Sequence, residues 1–182
     1  SDWRYEGVIY HRTDDPRNAD GDSCLFAPDV ARGPDGRYYL YYALDQESVI
    51  SVAVSDSPAG TYRFYGYVRD KEGGILGERP GDEHQFDPGV LVDGDRIWLY
   101  SGFCGIYNPK QEGPLVMELE PDMVTLAGEP KTLIPSAPYS QGTGFEGHGF
   151  FEASSMRKLN RRYYFIYSSE QKHELCYAVS KY

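Results

Sequence analysis

The chain has 182 residues, 40% of them hydrophobic, which suits one sizeable core and about one domain. Its formal net charge of −10 argues against a nucleic-acid partner, because phosphate binding needs a basic face, and equally against an anionic membrane surface. No apolar run approaches the roughly 18 residues of a membrane span, so neutral ligands such as sugars remain open.

In chain order, Trp3-Arg4-Tyr5-Glu6-Gly7-Val8-Ile9 lines up with Tyr62-Arg63-Phe64-Tyr65-Gly66-Tyr67-Val68, so residues 1–10 are expected to be the last strand of a preceding unit. The polar stretch 13–23, TDDPRNADGDS, lacks the spacing and closing Glu of a calcium loop and reads as an insertion bordering a channel. Phe26-Ala27-Pro28-Asp29-Val30 opens a unit that continues through YYLYYAL, VISVAVS and YRFYGYV. Phe86-Asp87-Pro88-Gly89-Val90 opens a second, followed by IWLY, PLVMELE and a short KTLI at 131–134. Phe151-Glu152-Ala153-Ser154-Ser155 opens a third, followed by RRYYFIYSS and ELCYAVS. Turn signals PDG, DGD and KLN precede the second strand of each unit. Aromatic runs of high β-propensity, and in VISVAVS the alternation of apolar with small or polar residues, mark these segments as strands, and helical periodicity is absent.

Repeats are the informative feature. A four-stranded antiparallel meander recurring about every 60 residues predicts an all-β chain folded as a β-propeller, with a β-sandwich as the alternative. The expected blades are 26–68, 86–134 and 150–182, the last without its fourth strand. Either the N-terminal strand closes the last blade as a clasp or the chain is a piece of a longer propeller; since propellers have four to eight blades, the second reading is favoured. Open blade edges would then invite self-association.

Innermost strands of neighbouring blades run beside one axis. Aligned on their phenylalanines, Ala27, Asp87 and Glu152 fall at equivalent places, so Asp87 and Glu152 are expected to face each other at one end of the channel. A convergent carboxylate pair suits glycoside hydrolysis. Phe150, Phe151, Ala153 and the Asp87 charge would hold Glu152 protonated as a general acid. Each has a structural alternative: Glu152 as an ion-pair partner of Arg157, Arg161 or Arg162, and Asp87 as a turn carboxylate bonding nearby amides.

These residues carry a resemblance. FAPDVARGPDGRYYLYYAL, FDPGVLVDGDRIWLYSG and FFEASSMRKLNRRYYFIYSS, in this order and over nearly the whole chain, resemble glycoside hydrolase family 43. That family implies a five-bladed propeller hydrolysing α-L-arabinofuranosyl and β-D-xylosyl linkages with inversion. It implies three acids: a base Asp on the first blade, a pKa-tuning Asp on the third and a general acid Glu on the fourth. Asp87 matches the tuning Asp and Glu152 the acid. Phe26-Ala27-Pro28 resembles the second-blade Trp-Ala-Pro motif, which assigns Asp29 to that motif rather than to the base. The base is expected upstream of Ser1, and the fifth-blade His that can hold a central metal or water downstream, so this chain alone should hydrolyse weakly or not at all.

Phe26, Phe86 and His148 are the expected substrate contacts, and an arabinose- or xylose-containing oligosaccharide or polysaccharide is the expected partner. The glycine-rich loop PSAPYSQGTGFEGHG, 135–149, reads as a site rim or as a plain surface connection. Glu146 within it is a rival acid, out of register with Asp87. Asp82, Glu83 and His84 read as a solvated turn rather than a metal site, and no metal or cofactor is expected. The alternative function is a non-catalytic carbohydrate-binding or scaffolding propeller. Cys24, Cys104 and Cys176 are odd in number and form no CxxC pair. They read as three buried reduced thiols, with a disulfide plus one free thiol as the alternative, which leans toward a reducing compartment.

Overall fold

The computed structural model describes residues 2–104, 108 and 110–181. Three antiparallel sheets follow one another along the chain. The first holds β1 (Leu25–Arg32), β2 (Tyr38–Leu44), β3 (Ile50–Ser55) and β4 (Arg63–Tyr67) in sequential order. The second holds β5 (Gly89–Asp93), β6 (Arg96–Ser101), β7 (Leu115–Leu119) and a two-residue β8 (Lys131–Thr132), so the expected KTLI strand is cut in half. The third holds β9 (Phe150–Leu159), β10 (Arg162–Ser169) and β11 (Leu175–Ser180). In each sheet the first strand is innermost: β1 packs beside β5 and β5 beside β9. This is the radial packing of propeller blades.

Sequence explains the sheets locally. β2 alternates two faces, each apolar: Tyr39 and Tyr41 point toward the second sheet, while Leu40, Tyr42 and Leu44 pack with Tyr10 and Tyr62 on the other side. Between the first two sheets Tyr39, Tyr41, Ile50, Val52 and Val54 meet Ile97, Leu99, Met117 and Leu119. Between the second and third, Tyr100 meets Phe150, Met156, Phe165 and Tyr167. Tyr41 is fully buried, and its hydroxyl satisfies itself by donating to the Met123 carbonyl at 2.7 Å. At the tip of the third sheet Asn160 and Arg161 take φ of 50° and 63°, the left-handed pair that a two-residue hairpin turn demands.

Two expectations change here. Residues 2–10 hold no strand, because a fourth strand needs a sheet edge to join and none lies beside it among the described residues. Their tie to the first sheet is the Tyr62 N–H donating to Ile9 O at 2.8 Å and Tyr10 packing on Tyr42. Ser1 and Tyr182, the outer limits of the expected first strand and last blade, lie outside the described residues. The segment 13–23, expected as an insertion bordering a channel, forms 3-10 turns at Arg12–Asp14 and Pro16–Asn18 that pack on the first sheet through Asp15. Asp15 is fully buried there, accepting from the Tyr42 hydroxyl at 2.6 Å, the Tyr67 hydroxyl at 3.0 Å and the Arg17 N–H at 2.9 Å.

Candidate active site

The site grows out of one backbone defect repeated three times. Phe26 pairs with Ala43 and Asp29 with Tyr41, so Ala27 and Pro28 together stand opposite Tyr42. Glu152 pairs with Ser168 and Ser155 with Ile166, so Ala153 and Ser154 stand opposite Tyr167. In the second sheet the Gly102 N–H donates to Phe86 O while Gly89 pairs with Tyr100, which leaves Asp87 and Pro88 opposite Ser101. Each innermost strand therefore carries a β-bulge at the same level. Its first residue takes a left-handed φ: 47° at Ala27, 49° at Asp87 and 66° at Ala153. Such a conformation costs a non-glycine residue about 1–3 kcal/mol, and bulges bend a strand and re-aim its side chains.

This pairing corrects the sequence register by one. The residue level with Phe26 and Phe86 is Glu152, and the partner of Ala27 and Asp87 is Ala153. The two acids still meet. The bulge frees the Ala153 N–H from the ladder, and Asp87 Oδ2 accepts it at 2.9 Å from the neighbouring sheet. Asp87 is thus an inter-blade latch and not a local turn carboxylate. Asp29 does the same one blade earlier, accepting the Val90 N–H at 2.9 Å. Gly89 permits the close approach, since a Cβ there would lie 2.5 Å from the Ser154 carbonyl oxygen.

Asp87 is 8% exposed, and its pKa is pushed up to about 6, first by burial and then by the Glu152 charge, against the lowering effect of the Ala153 N–H. No arginine pairs with Glu152 among the described contacts. The group beside it is His173, whose Nδ1 lies 3.4 Å from Oε1. The Arg157 guanidinium instead donates to the Met156 carbonyl.

A row of rings runs from the first blade to this carboxylate. Phe26 contacts Phe86 with centroids 5.9 Å apart, Phe86 contacts Phe103 at 5.8 Å, Phe103 contacts Phe151 at 5.2 Å, and Phe151 contacts His173 at 4.6 Å. These are ordinary aromatic contact distances. Phe103 is held between its neighbours by the Cys104 N–H donating to Phe151 O at 2.8 Å. His84 flanks the row, stacked on Phe86, with Ser48 Oγ 2.8 Å from its Nδ1. Burial lowers its pKa, which favours the neutral imidazole.

Residues 1–181 match the family model described as Glycosyl hydrolases family 43. The chain belongs to this family. A xylosidase/arabinosidase of Thermoclostridium stercorarium is 61% identical over 181 residues, covering 100% of this chain and 38% of the relative. Xylosidase/arabinosidase 43A of Humicola insolens is 35% identical, covering 83% of this chain and 52% of the relative. Among solved structures, an α-L-arabinofuranosidase from Clostridium thermocellum superposes with a TM-score of 0.66 at 29% identity, covering 97% of this chain and 53% of that one. The chain thus spans between about two fifths and one half of the length of these relatives.

The remaining expected positions of this family 43 chain divide. Phe26 and Phe86 lie in the ring row with Asp87 and Glu152 at its end. His148 does not join them. It is exposed on the 135–149 loop with Nδ1 3.9 Å from Glu174 Oε2. Glu146 accepts the Gly142 N–H at 3.0 Å within the same loop, the ordinary work of a turn carboxylate. Phe145 turns inward between the second and third sheets, away from any rim. Asp82 grips Arg79, Glu83 is half-buried with its pKa raised by desolvation, and only His84 of that trio reaches the rings. No three His, Cys, Asp or Glu side chains converge as a metal would require, among the described residues.

A cleft of about 830 Å³ lies between the outer parts of the second and third sheets, lined by Trp98, Tyr100, Phe145 and Phe165. It touches neither carboxylate. It opens where the third sheet lacks the fourth strand that the first two have. The candidate site is built on the two acids and not on this cleft.

Sequence reasoning missed Phe103 and His173. The second had a signal: in an antiparallel sheet the turn after the second strand returns to the level at which the first begins, so the turn at 170–174 had to sit beside Glu152.

Proposed function

We propose that this chain supplies the acid side of an inverting glycosidase acting on α-L-arabinofuranosyl or β-D-xylosyl linkages. The observation that carries this reading is the Asp87–Glu152 pair, joined across two blades at the end of an aromatic row. Glu152, with its side chain 27% exposed, faces solvent and can reach a glycosidic oxygen. Asp87 is too buried to reach one; it fixes β9 through Ala153 and sets the field at Glu152. A pentose lying on Phe26 and Phe86 offers its apolar face to the rings, and a sugar covering Glu152 strips its water. Loss of water disfavours the charged form, so the carboxyl holds the proton that it then gives to the leaving oxygen.

Inversion needs a second carboxylate roughly 6.5–9.5 Å away, holding water on the opposite face of the sugar. Asp29 is committed to Val90, and the base is expected from sequence outside this chain. The relatives' names support the pentoside class. A β-xylosidase/α-arabinofuranosidase from a compost metagenome, 29% identical with a TM-score of 0.64, is described in complex with xylotriose.

The test is hydrolysis of chromogenic arabinofuranoside and xyloside. It uses the 182-residue chain alone and the same chain grafted into the Thermoclostridium stercorarium relative in place of its matching segment. Turnover by the graft, lost in Glu152→Gln, is expected, with little or none by the chain alone. A graft that binds pentosides but never cleaves them would favour a binding propeller.

A further inference from the structure

We infer that His173 is a positioning residue for the general acid, an inference that rests on Glu152 being that acid. The imidazole Nδ1 lies 3.4 Å from Glu152 Oε1 and 3.4 Å from Ser168 Oγ, and Ser168 is the ladder partner of Glu152. The ring stands edge-on against Phe151 at 4.6 Å with an 86° interplanar angle, so its rotation is limited on one side by the aromatic row. With Nδ1–H donated to Oε1, Oε2 is left to carry the acid proton. Catalytic hydrogen bonds are often long before substrate binds and tighten in the complex.

The backbone supplies an independent reason. Lys172 and His173 adopt φ of 53° and 59°, two consecutive left-handed residues without a glycine. The turn is pinned by Ser169 N–H to Glu174 O at 2.9 Å, His173 N–H to Ser169 O at 3.1 Å and Glu174 N–H to Gln171 O at 3.1 Å. Strain of this kind persists where the surroundings fix it and clusters at functional sites. Here it delivers one imidazole to one carboxylate. Glu174, next in the chain, faces His148 instead.

The experiment compares a xyloside with an alkyl leaving group, which needs an acid, with a dinitrophenyl xyloside, which does not. It uses the graft described above. His173→Gly removes the ring while easing the left-handed backbone, and His173→Asn keeps an amide nitrogen near the Nδ1 position and tolerates that backbone. Glu152→Gln is the reference.

For His173→Gly, kcat on the alkyl xyloside is expected to fall about tenfold or more, with the dinitrophenyl substrate and KM nearly unchanged and His173→Asn recovering most of the loss. A His173→Gly variant unaffected on the alkyl xyloside, or slowed equally on both substrates, would overturn the inference while Glu152→Gln still shows the acid at work. If Glu152→Gln itself leaves the alkyl xyloside unaffected, or the unmutated graft has no turnover, the acid assignment fails and this inference with it.

Discussion

Asp87 and Ala153 stand 66 residues apart in sequence and share one hydrogen bond of 2.9 Å, donated by the backbone amide to the carboxylate. That bond fastens the second blade to the third at the level where chemistry is expected. The carboxylate that makes it is also the one whose proton affinity burial has raised, so stability and function meet in a single side chain.

Asp87→Asn tests that conjunction. A carboxyl raised from 3.8 to about 6 on folding gives the native state more bound protons than the unfolded state between those values. Its contribution to stability is complete below pH 3.8 and is lost as pH rises through 6. The loss is on the order of 3 kcal/mol. Asn keeps an acceptor for Ala153 and carries no charge. At pH 7–8 the variant should therefore unfold at higher urea than the parent, with the difference vanishing near pH 4, while the graft loses turnover. Equal urea midpoints at pH 8 would contradict the buried carboxylate.

Gly89→Ala places a methyl carbon 2.5 Å from the Ser154 carbonyl, a backbone atom that cannot rotate away. β5 and β9 must separate, which costs about 1–3 kcal/mol and stretches the Asp87–Ala153 bond. For a chain of this size the thermal midpoint should drop by about 2–12 °C. Gly128→Ala, with nothing within 4 Å of the added carbon, serves as the control and should move little.

Asp15→Ala removes the acceptor shared by the buried Tyr42 hydroxyl, the half-buried Tyr67 hydroxyl and the Arg17 N–H, leaving Tyr42 only the Tyr10 hydroxyl at 2.9 Å. Losing these bonds costs about 1–3 kcal/mol. Urea denaturation should show the loss as a lower midpoint, and Asp15→Asn, which keeps one acceptor, should fall between.

Thiol labelling offers an inexpensive check on the packing. Cys24 is exposed, whereas Cys104 is buried and its pKa is pushed up to about 12. Iodoacetamide at pH 8 should modify Cys24 in the native chain and reach Cys104 only after denaturant is added, because the thiolate is the reactive form. Rapid native labelling of Cys104 would place the 102–104 segment away from Phe151.

Much of this was legible in the sequence because β2, β6 and β10 are aromatic-rich runs of high β-propensity that recur at fixed offsets. FDPG and FFEAS likewise pointed to the two acids. What failed was the step from letters to register. Ser168 and Ser169 are neighbours in β10, yet their partners Glu152 and Phe150 are two apart, so Phe151 is an extra residue in β9. Matching phenylalanine to phenylalanine hid that insertion. The burial of Asp15 was hidden for a related reason. Its partners Tyr42 and Tyr67 lie 27 and 52 residues away, and nothing in a run of polar letters announces a distant phenol.

The three bulges carry a lesson about how such a fold can change. The kink at Ala27 is drawn by the same left-handed backbone as the kink at Asp87, yet one bears a methyl group and the other an ionisable acid. Geometry at this level belongs to the main chain and is common to all three blades; reactivity is a matter of which side chain hangs on it. A blade can therefore gain or lose an acid by a single codon change without redrawing its sheet, and a reshuffled set of blades starts with every niche already bent to shape.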